Sequence, residues 1–367
     1  MALMEKIVVQ DFRNIALAEL SFSPNVNCIS GNNGEGKTNL IDAVYYLSMT
    51  KSAFSPSDRY CFRHGTERFS LAGTYAMGGG LSSRFSLRVE AGGQKKLRRD
   101  DKPVDRISDH IGTLPVVLVC PSDGSLVSES GEERRRFLNA VLSQMDREYL
   151  SAMQQYNRLL AQRNAVLKAD RADDGLLEVL DLRMDAVASR IYERRAGFVK
   201  ELEPVLARYY ALLSGGQETV SVSYRSDLEK DSLASLLASS REKDKILRFT
   251  SCGLQRDDIL FDMEGHPIRR CGSQGQQKSF LVSLKFAQYD IMKASCGIAP
   301  ILLLDDVFDK LDMGRISNLL SLVAGEDFGQ IFITDSNKVR LRDIVGGITG
   351  DSAFFESVGG NYTPVEV

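Results

Sequence analysis

Residues 26–44 read VNCISGNNGEGKTNLIDAV, and residues 31–38 of this stretch match the pattern G-x-x-x-x-G-K-[ST]. An apolar segment ends at Ser30 just before the pattern, and an amphipathic segment begins at Asn39 just after it. A strand, a glycine-rich loop and a helix in this order predict a P-loop, whose backbone N–H groups and helix N-terminus bind phosphate. We expect Lys37 to reach the β- and γ-phosphates and the Thr38 hydroxyl to take one position on Mg²⁺. The expected nucleotide ligands are all residues of this loop: Gly31, Asn32, Asn33, Gly34, Glu35, Gly36, Lys37, Thr38 and Asn39.

A second motif, Ala299-Pro-Ile-Leu-Leu-Leu-Asp-Asp306, is an apolar segment that ends in two carboxylates. The carboxyl edge of a parallel sheet is where ligands bind, so these acids are expected to face the P-loop. Asp305 would hold Mg²⁺ together with Thr38, and Asp306 would orient or deprotonate the attacking water. Lys37, Asp305 and Asp306 are therefore the predicted catalytic residues.

A third motif, Ser273-Gln-Gly-Gln-Gln-Lys278, precedes a segment with the apolar spacing of a helix. Small and amide residues at a helix N-terminus form an anion site without a charged group. Since the chain already has a P-loop, a second phosphate site would serve the nucleotide of another subunit, as in ABC-type ATPases, where two heads enclose two nucleotides. The alternative is a simple N-cap serine followed by a flexible glycine.

Composition limits the class of protein. The chain has 367 residues, 43% of them hydrophobic, and 46 Lys and Arg against 49 Asp and Glu give a net charge of −3. These values predict two or three folded domains and exclude both extensive disorder and a uniformly basic nucleic-acid coat. Neither a run of 18 apolar residues nor a signal-peptide core is found, which predicts a cytosolic protein. The six scattered cysteines are expected to be free, mostly buried thiols, and the three distant histidines do not suggest a zinc site.

The pattern along the chain predicts an α/β P-loop head with an inserted helical arm. Short strands and a hairpin fill the first third, and the apolar run 115–121 predicts a buried strand. Helical spacing runs from about residue 131 to 213 with a break at 168–175, which predicts two antiparallel arms of a few turns each. The expected domains are 1–120 with the P-loop, 121–215 as the helical arm, and 216–367 with the second and third motifs.

The order of these motifs resembles the SMC-like branch of ABC ATPases and, more narrowly, the RecF family. Three further stretches carry the resemblance: ERRRFLN at 133–139, YNRLLAQRN at 156–164 and GLQRDD at 253–258. The chain departs from the usual family pattern at Gln255, where the family usually has His, and at Asn139, where it usually has Asp.

The resemblance implies roles for several residues. Arg13 and Asn14 would lie near the nucleotide, whereas Ser273, Gly275 and Gln276 would reach the γ-phosphate bound by the opposite protomer. Residues 309–312, Asp-Lys-Leu-Asp, occupy the position of the loop that communicates across the dimer. Thr334 or Asp335 stands where many transporters carry a switch histidine, and we expect no catalytic proton role for either.

The RecF resemblance also implies a function. It implies a weak, DNA-stimulated ATPase with ATP and Mg²⁺ as cofactors, whose ATP-bound homodimer binds DNA near single-strand gaps and releases it after hydrolysis. It further implies the partners RecR and RecO, and roles in recombinase loading, replication restart and SOS induction. DNA would lie in the groove between paired heads and arms, held by salt-dependent phosphate contacts. The candidate contacts are a basic run expected in a loop and a second run opening the arm: Lys95, Lys96, Arg98, Arg99 and Lys102, then Arg134, Arg135 and Arg136.

Three other functions remain as alternatives. A chromosome-organising SMC head is disfavoured, because an insertion of about 80 residues would reach only about 40–60 Å. An ABC transporter ATPase subunit would be shorter and would lack the helical arm. An ATP-dependent nuclease of the overcoming-lysogenisation type would need a dense acidic metal cluster, which is not found after Asp312.

Overall fold

The chain forms two compact units. The computed structural model describes residues 2–170, 172–216, 218–308, 313–323, 328–346 and 351–365. The first unit comprises Met1–Asp123 and Gln288–Val367, and the second comprises Gly124–Ala287. Among the described residues, no helix is both long enough and apolar enough to cross a bilayer.

Fifteen strands are described, and the α-helices that accompany them are given in the same order. The strands are β1 (Leu3–Phe12), β2 (Ile15–Ser21), β3 (Val26–Ser30), β4 (Arg68–Ala76), β5 (Ser82–Glu90), β6 (Lys95–Arg99), β7 (Lys102–Pro103), β8 (Val116–Val119), β9 (Val220–Arg225), β10 (Asp258–Met263), β11 (His266–Pro267), β12 (Ile301–Asp305), β13 (Ile331–Asp335), β14 (Ser352–Val358) and β15 (Asn361–Pro364). The described helices are α1 (Lys37–Met49), α2 (Ser125–Ser128), α3 (Gly131–Met145), α4 (Arg147–Lys168), α5 (Asp174–Ser214), α6 (Leu233–Leu247), α7 (Ile268–Cys271), α8 (Gln274–Cys296), α9 (Met313–Val323) and α10 (Lys338–Gly346).

Two six-stranded sheets make up the first unit. One is antiparallel with the order β2-β1-β4-β5-β6-β7, and the other is mixed with the order β15-β14-β3-β13-β12-β8. Helix α1 contacts strands of both sheets, and most of its residues are therefore buried. Leu40, Ile41, Val44 and Leu47 are all fully buried in this core.

The mixed sheet aligns the ends of three parallel strands. All residues of β8, β12 and β13 are buried, as expected of strands covered on both faces. The buried strand predicted from the apolar run 115–121 is thus confirmed, and it spans Val116–Val119. Asp305 pairs in register with Thr334, and Asp335 pairs with Ser30. The carboxyl ends of β12 and β13 therefore lie beside the start of the P-loop.

The second unit contains the helical arm. α4 and α5 pack on each other on either side of the predicted break, and their buried residues follow three- and four-residue spacing. The expectation of arms of only a few turns is wrong for α5, which has 41 residues and includes Pro204. At 1.5 Å per residue this helix extends about 60 Å. Its buried positions continue to Leu213, and the helix packs on β9, where Tyr192 lies against Tyr224.

The division into units differs from the expected domains at residues 216–287. These residues belong to the second compact unit, together with the helical arm. The reason is packing: β9 lies against α5 and β10 lies against α3. The chain passes between the units within α8, so the sequence pattern of a continuous helix gives no signal for this boundary.

The cysteines are all free, as predicted. Only Cys28 and Cys61 are buried, however, and Cys271 is exposed. Burial raises the pKa of the Cys28 thiol to about 12, which keeps it neutral.

Candidate nucleotide-binding site

The P-loop connects β3 to α1 as predicted, although the helix begins at Lys37 rather than Asn39. The Lys37 ammonium group donates to the carbonyl oxygens of Gly31 at 2.7 Å and Asn32 at 2.9 Å. Gly36 has a φ of 110°, and a Cβ there would lie 2.9 Å from the Asn14 amide. Only glycine satisfies both constraints, so the loop can wrap closely around a small anion.

Two threonine hydroxyls converge on the carboxylate of Asp305. Thr38 Oγ1 lies 2.9 Å from Asp305 Oδ2, and Thr334 Oγ1 donates to Asp305 Oδ1 at 2.6 Å. Burial raises the pKa of Asp305, and the two hydroxyl donors only partly oppose this effect. A buried carboxylate whose side-chain partners are neutral hydroxyls is favourably placed for a cation.

The oxygen atoms of Thr38 and Asp305 are the hard ligands that Mg²⁺ prefers. Among the described residues, no group of three or more His, Cys, Asp or Glu side chains could hold a metal. A P-loop magnesium site needs fewer protein ligands, because phosphate and water oxygens supply the others. The residues present therefore fit Mg²⁺ bound together with a nucleotide.

Asp306 follows Asp305 at the end of β12 and has a φ of 50°. Its backbone N–H lies 3.1 Å from Thr334 Oγ1 and 3.2 Å from the Thr334 carbonyl. The charge of Asp306 contributes to the raised pKa of Asp305. The two adjacent acids thus lie at one sheet edge, with Asp306 in a left-handed backbone conformation.

Arg13 and Asn14 lie in the turn between β1 and β2, but they make different contacts. Asn14 Oδ1 accepts from Asn39 Nδ2 at 2.7 Å and Asn14 lies against Gly36, so it contacts the loop directly. Arg13 instead pairs with the buried Asp42 of α1 at 2.7 Å and donates to Ser52 at 3.0 Å. Arg13 is thus connected to the loop helix through Asp42.

The Glu35 side chain, predicted to contact nucleotide, accepts from the backbone N–H of Gly359. Gly359 and Gly360 form the turn of the β14–β15 hairpin, which lies against the P-loop. Sequence reasoning missed this contact. The pair of glycines between two strand-like segments was the available signal for a hairpin, but nothing in the pattern indicated its partner.

The third motif forms the first turn of α8 rather than preceding it. Ser273 Oγ accepts from the Gln276 N–H at 3.3 Å, and Gln276 Oε1 accepts from the Ser273 N–H at 2.6 Å. This reciprocal pair is a capping box, and Gln276 also donates to Glu218 at 2.6 Å. The N-cap alternative thus accounts for these contacts within one chain. Residues 309–312, predicted to communicate across a dimer, lie outside the described residues.

The basic run at 95–99 lies in strand β6, not in a loop as expected. The ammonium group of Lys95 is used within the chain: it lies 2.8 Å from Asp58 Oδ2 and donates to the Thr50 carbonyl at 2.8 Å. Lys96 and Arg98 are exposed and face outward on this strand. Alternation along the strand therefore divides the run into outward-facing and inward-facing residues.

The assignment of Arg134 to DNA is contradicted by its burial. Its guanidinium contacts Asp258 at 2.7 and 3.1 Å and donates to the Leu126 carbonyl at 2.8 Å. Arg135 donates to the Asp257 carbonyl, and Arg136 is exposed but paired with Glu132 and Glu133 at 2.5 and 2.6 Å. Helical periodicity directs the first of these three arginines into the unit interior.

Two cations missed by sequence reasoning, Arg84 and Arg88 of β5, lie on the outward face beside Lys96 and Arg98. Arg88 pairs in register with Lys96, and Ser86 pairs with Arg98. Arg88 lies 3.2 Å from Glu90, whereas Arg84, Lys96 and Arg98 make no ion pair with any described residue. We call the four residues Arg84, Arg88, Lys96 and Arg98 the basic sheet face.

The arm motifs that carry the RecF resemblance meet in one buried network. Arg195 contacts Asp257 at 2.6 Å and Asn139 at 3.0 Å. Gln255 accepts from the Tyr156 hydroxyl at 2.7 Å and donates to the Cys252 carbonyl at 2.6 Å. Both departures from the family pattern are thus amides that take part in this network: Asn139 accepts through Oδ1 from Tyr149 and Arg195, and Gln255 both accepts and donates.

The fold and the site define a P-loop NTPase of the SMC-like ABC type. The profile of the AAA domain family matches residues 6–203, more than half of the chain. The DNA replication and repair protein RecF of Porphyromonas gingivalis is 45% identical over 355 residues, which cover 96% of this chain and 98% of the relative. The protein of the same name from Parabacteroides distasonis is 40% identical over 364 residues, covering 99% and 100%. The chain belongs to the RecF family of DNA replication and repair proteins.

Solved structures agree with this assignment. A structure of the recombination mediator protein RecF with ATP, in the RecFOR pathway, has a TM-score of 0.89 and 26% identity, covering 100% of this chain and 98% of that one. An Smc head domain from Pyrococcus furiosus has a TM-score of 0.59 and 15% identity, covering 100% and 96%. The second similarity concerns the fold alone.

Proposed function

We propose that this chain binds ATP with Mg²⁺ at the P-loop, hydrolyses it slowly, and uses the nucleotide to control DNA binding in repair. The observation that carries the proposal is the convergence of Thr38 and Asp305 beside the loop of Lys37. The structure of a RecF protein with ATP supports it.

Each residue of the site has a role that follows from its position. Lys37 would exchange its bonds to the Gly31 and Asn32 carbonyls for bonds to phosphate oxygens. Thr38 and Asp305 would hold Mg²⁺, which when bound neutralises charge on the phosphates. Asp306 would align the attacking water, because its carboxylate lies next to Asp305 at the same sheet edge.

Nucleotide binding and hydrolysis are tested separately. Lys37→Ala should abolish binding of a fluorescent ATP analogue, whereas Asp306→Asn should retain binding and lose most phosphate release. The Asp343→Asn variant, an exposed acid on α10, is the matched control and should behave as wild type. Unchanged binding by the Lys37 variant would refute the P-loop assignment.

We also propose that ATP joins two protomers, with Ser273, Gly275 and Gln276 of one contacting the γ-phosphate bound by the other. Ser273 is exposed at the N-terminus of the 23-residue helix α8, where backbone N–H groups favour an anion. Ser273→Arg should leave nucleotide binding intact and prevent ATP-dependent dimerisation in light scattering. Ser239→Arg, the same change at an exposed position of α6, should leave dimerisation unchanged. A Ser273 variant that still dimerises with ATP would contradict the cross-subunit contact.

The basic sheet face is the proposed DNA contact of the first unit. In β4, β5 and β6, each described throughout, the outward residues include no aromatic side chain on which a base could stack. The opposite face of the sheet packs on α1. Cations without aromatic residues favour contacts to the phosphate backbone over contacts to bases.

DNA binding is tested by neutralising all four residues of the basic sheet face to Gln. The variant should bind duplex DNA more weakly with ATP, and its slope of log K against log salt should fall by about 2–4, near 0.9 per lost phosphate contact. Neutralising four exposed cations of the second unit, Arg183, Arg190, Lys200 and Lys243, gives a control of equal net charge. If the second-unit variant loses the binding and the sheet variant keeps it, the contact lies on the second unit.

Membership of the RecF family supports a role for this activity in replication and repair. RecR and RecO are the proposed protein partners, and recombinase loading, replication restart and SOS induction are the proposed outcomes. A pull-down with purified RecR, with and without ATP, tests the first of these partnerships directly. No enrichment of RecR in either state would exclude it.

A further inference from the structure

We infer that the β14–β15 hairpin is a brace that orients the phosphate-binding amides of the P-loop, with Tyr362 and Ser357 as positioning residues. The inference deepens the proposed function, because it rests on ATP binding at residues 31–38. It assigns a role to a segment more than 300 residues away in sequence from the loop that it contacts.

The hairpin donates hydrogen bonds to two consecutive carbonyl groups of the loop. Ser357 Oγ and the Gly360 N–H both donate to the Glu35 carbonyl at 2.9 Å. The Tyr362 hydroxyl donates to the Gly36 carbonyl at 2.7 Å. The Glu35 carboxylate also accepts from the Gly359 N–H, so side chain and main chain of Glu35 are both held.

These bonds determine where the loop N–H groups point. In a planar trans peptide the C=O and N–H bonds point in opposite directions. The Glu35 carbonyl shares a peptide plane with the Gly36 N–H, and the Gly36 carbonyl shares one with the Lys37 N–H. The Gly36 carbonyl also accepts from the N–H groups of Asn39 and Leu40 in α1, so hairpin and helix together hold these two carbonyls. The two N–H groups therefore point the opposite way, toward the side on which a P-loop binds phosphate.

Close packing leaves the hairpin little freedom to shift. A Cβ on Gly31 would lie 2.5 Å from the Ser357 carbonyl oxygen, and a Cβ on Gly360 would lie 2.5 Å from the Asn14 carbonyl oxygen. Gly360 also has a φ of 82°. The first glycine of the loop and the turn of the hairpin thus approach at distances that exclude any side chain.

The Tyr362 hydroxyl remains a donor at ordinary pH, because burial raises the pKa of the phenol. β14 itself is fixed by pairing in parallel with β3, where Phe355 pairs with Ile29 and Glu356 pairs with Ser30. The strand that ends in the P-loop and the strand that begins the brace are therefore neighbours in one sheet. The hairpin contacts the loop near its start at Gly31 and near its end at Glu35 and Gly36.

The test compares Tyr362→Phe with Tyr289→Phe in the full-length chain. Tyr289 is fully buried, and its hydroxyl accepts from the Gly329 N–H at 2.6 Å. Gly329 lies just before the N-terminal end of β13, at the edge of the sheet opposite to the P-loop. Each variant loses one hydroxyl and its hydrogen bond to a backbone group. The measurements are Kd for a fluorescent analogue of ATP and of ADP with Mg²⁺, and amide hydrogen exchange of the peptide that contains residues 31–38.

We expect Tyr362→Phe to raise both Kd values by about three- to tenfold, since one hydrogen bond is typically worth about 1 kcal/mol. Its loop amides should exchange faster, and Ser357→Ala should act in the same direction. Tyr289→Phe should change neither quantity at the loop. Equal Kd values for Tyr362→Phe and wild type would overturn the inference, and so would equal effects of the two Tyr variants.

Failure of the brace and failure of ATP binding are distinguishable. If wild type binds neither nucleotide, the proposed function fails, while the exchange measurement still tests the brace. Unchanged exchange at residues 31–38 in Tyr362→Phe refutes the brace whatever the nucleotide result.

Discussion

Replacing Thr334 by Val removes the shortest hydrogen bond to the carboxylate of Asp305. The Thr334 hydroxyl donates to Asp305 Oδ1 at 2.6 Å, and Asp305 is only 3% exposed, so water cannot readily replace the donor. Valine has a similar shape but no donor, and the Thr38 hydroxyl at 2.9 Å remains as the other side-chain partner. The substitution therefore removes one hydrogen-bond donor from the buried Asp305 carboxylate without creating a cavity.

The magnitude follows from the type of bond. A hydrogen bond to a charged group contributes about 1.5–3 kcal/mol, and we expect this loss in the free energy of unfolding at pH 7. For a unit of this size the melting temperature should fall by about 3–12 °C. If the same bond positions Asp305 for catalysis, hydrolysis should fall by about ten- to a hundredfold, at 1.4 kcal/mol per factor of ten.

Thr334→Ser is the matched control, because it keeps the hydroxyl and loses only a methyl group. Calorimetry gives the melting temperature, single-turnover phosphate release gives the hydrolysis rate, and titration of a fluorescent ATP analogue gives Kd. Thr334→Ser should stay within a few-fold of wild type in every measurement. If Thr334→Val hydrolyses ATP at the wild-type rate, the reasoning that Thr334 positions Asp305 is wrong.

Two further predictions concern stability. Arg163→Leu should lower the free energy of unfolding by about 3–5 kcal/mol, because it leaves Asp181 and Asp244 buried without the guanidinium that lies 2.6 and 2.7 Å away. Arg136→Leu breaks only exposed ion pairs and should change the same quantity by about 0.5 kcal/mol or less in urea titration, so equal losses would contradict this account. His110 is buried with Nε2 at 2.6 Å from the Leu47 carbonyl, and burial lowers its pKa below the ordinary 6.5. The unfolded state therefore binds more protons, so this contribution is present above pH 6.5 and is lost as the pH falls. Urea unfolding at pH 7.5 and 5.5 should show a smaller loss for His110→Gln, which can keep an amide donor, than for wild type. An identical pH dependence in the two proteins would refute the role of His110.

The nucleotide site was largely predictable because its signals are local. The P-loop spacing requires glycines, a lysine and a threonine within eight residues, and the Asp305 strand shows an uninterrupted apolar run. The rule that ligands bind at the carboxyl edge of parallel strands then places the two motifs together. The structure adds Thr334, which lies beside Asp305 because of strand register.

Contacts between distant segments were not predictable. The hairpin at Gly359 and Gly360 shows a turn in the sequence, but only the sheet order brings it to Glu35. The basic residues show the same limitation. Arg134 was predicted to contact DNA as part of a basic run, whereas helical phase and Asp258 make it a buried ion pair. Arg88 was not among the predicted contacts, because only antiparallel register places it beside Lys96.

The extent of α5 was predictable from its helical spacing, which runs to residue 213 while the helix ends at Ser214; only the expectation of a few turns per arm was too short. The packing of α5 against β9, which follows it in the chain, was not predictable. This packing puts residues 216–287 in the second unit. Local periodicity thus predicts the helix, whereas the unit that it joins is set by its tertiary partners.

We propose that ATP bound at the P-loop assembles a DNA-binding dimer. The decisive experiment is size-exclusion chromatography with light scattering, with duplex DNA and with ATP, ADP or no nucleotide, at two salt concentrations. We expect a monomer of 40.7 kDa without nucleotide or with ADP, and a DNA-bound dimer only with ATP. Lys37→Ala should remain monomeric in all three states. Equal mass and equal DNA binding of the wild-type chain in all three states would contradict the claim.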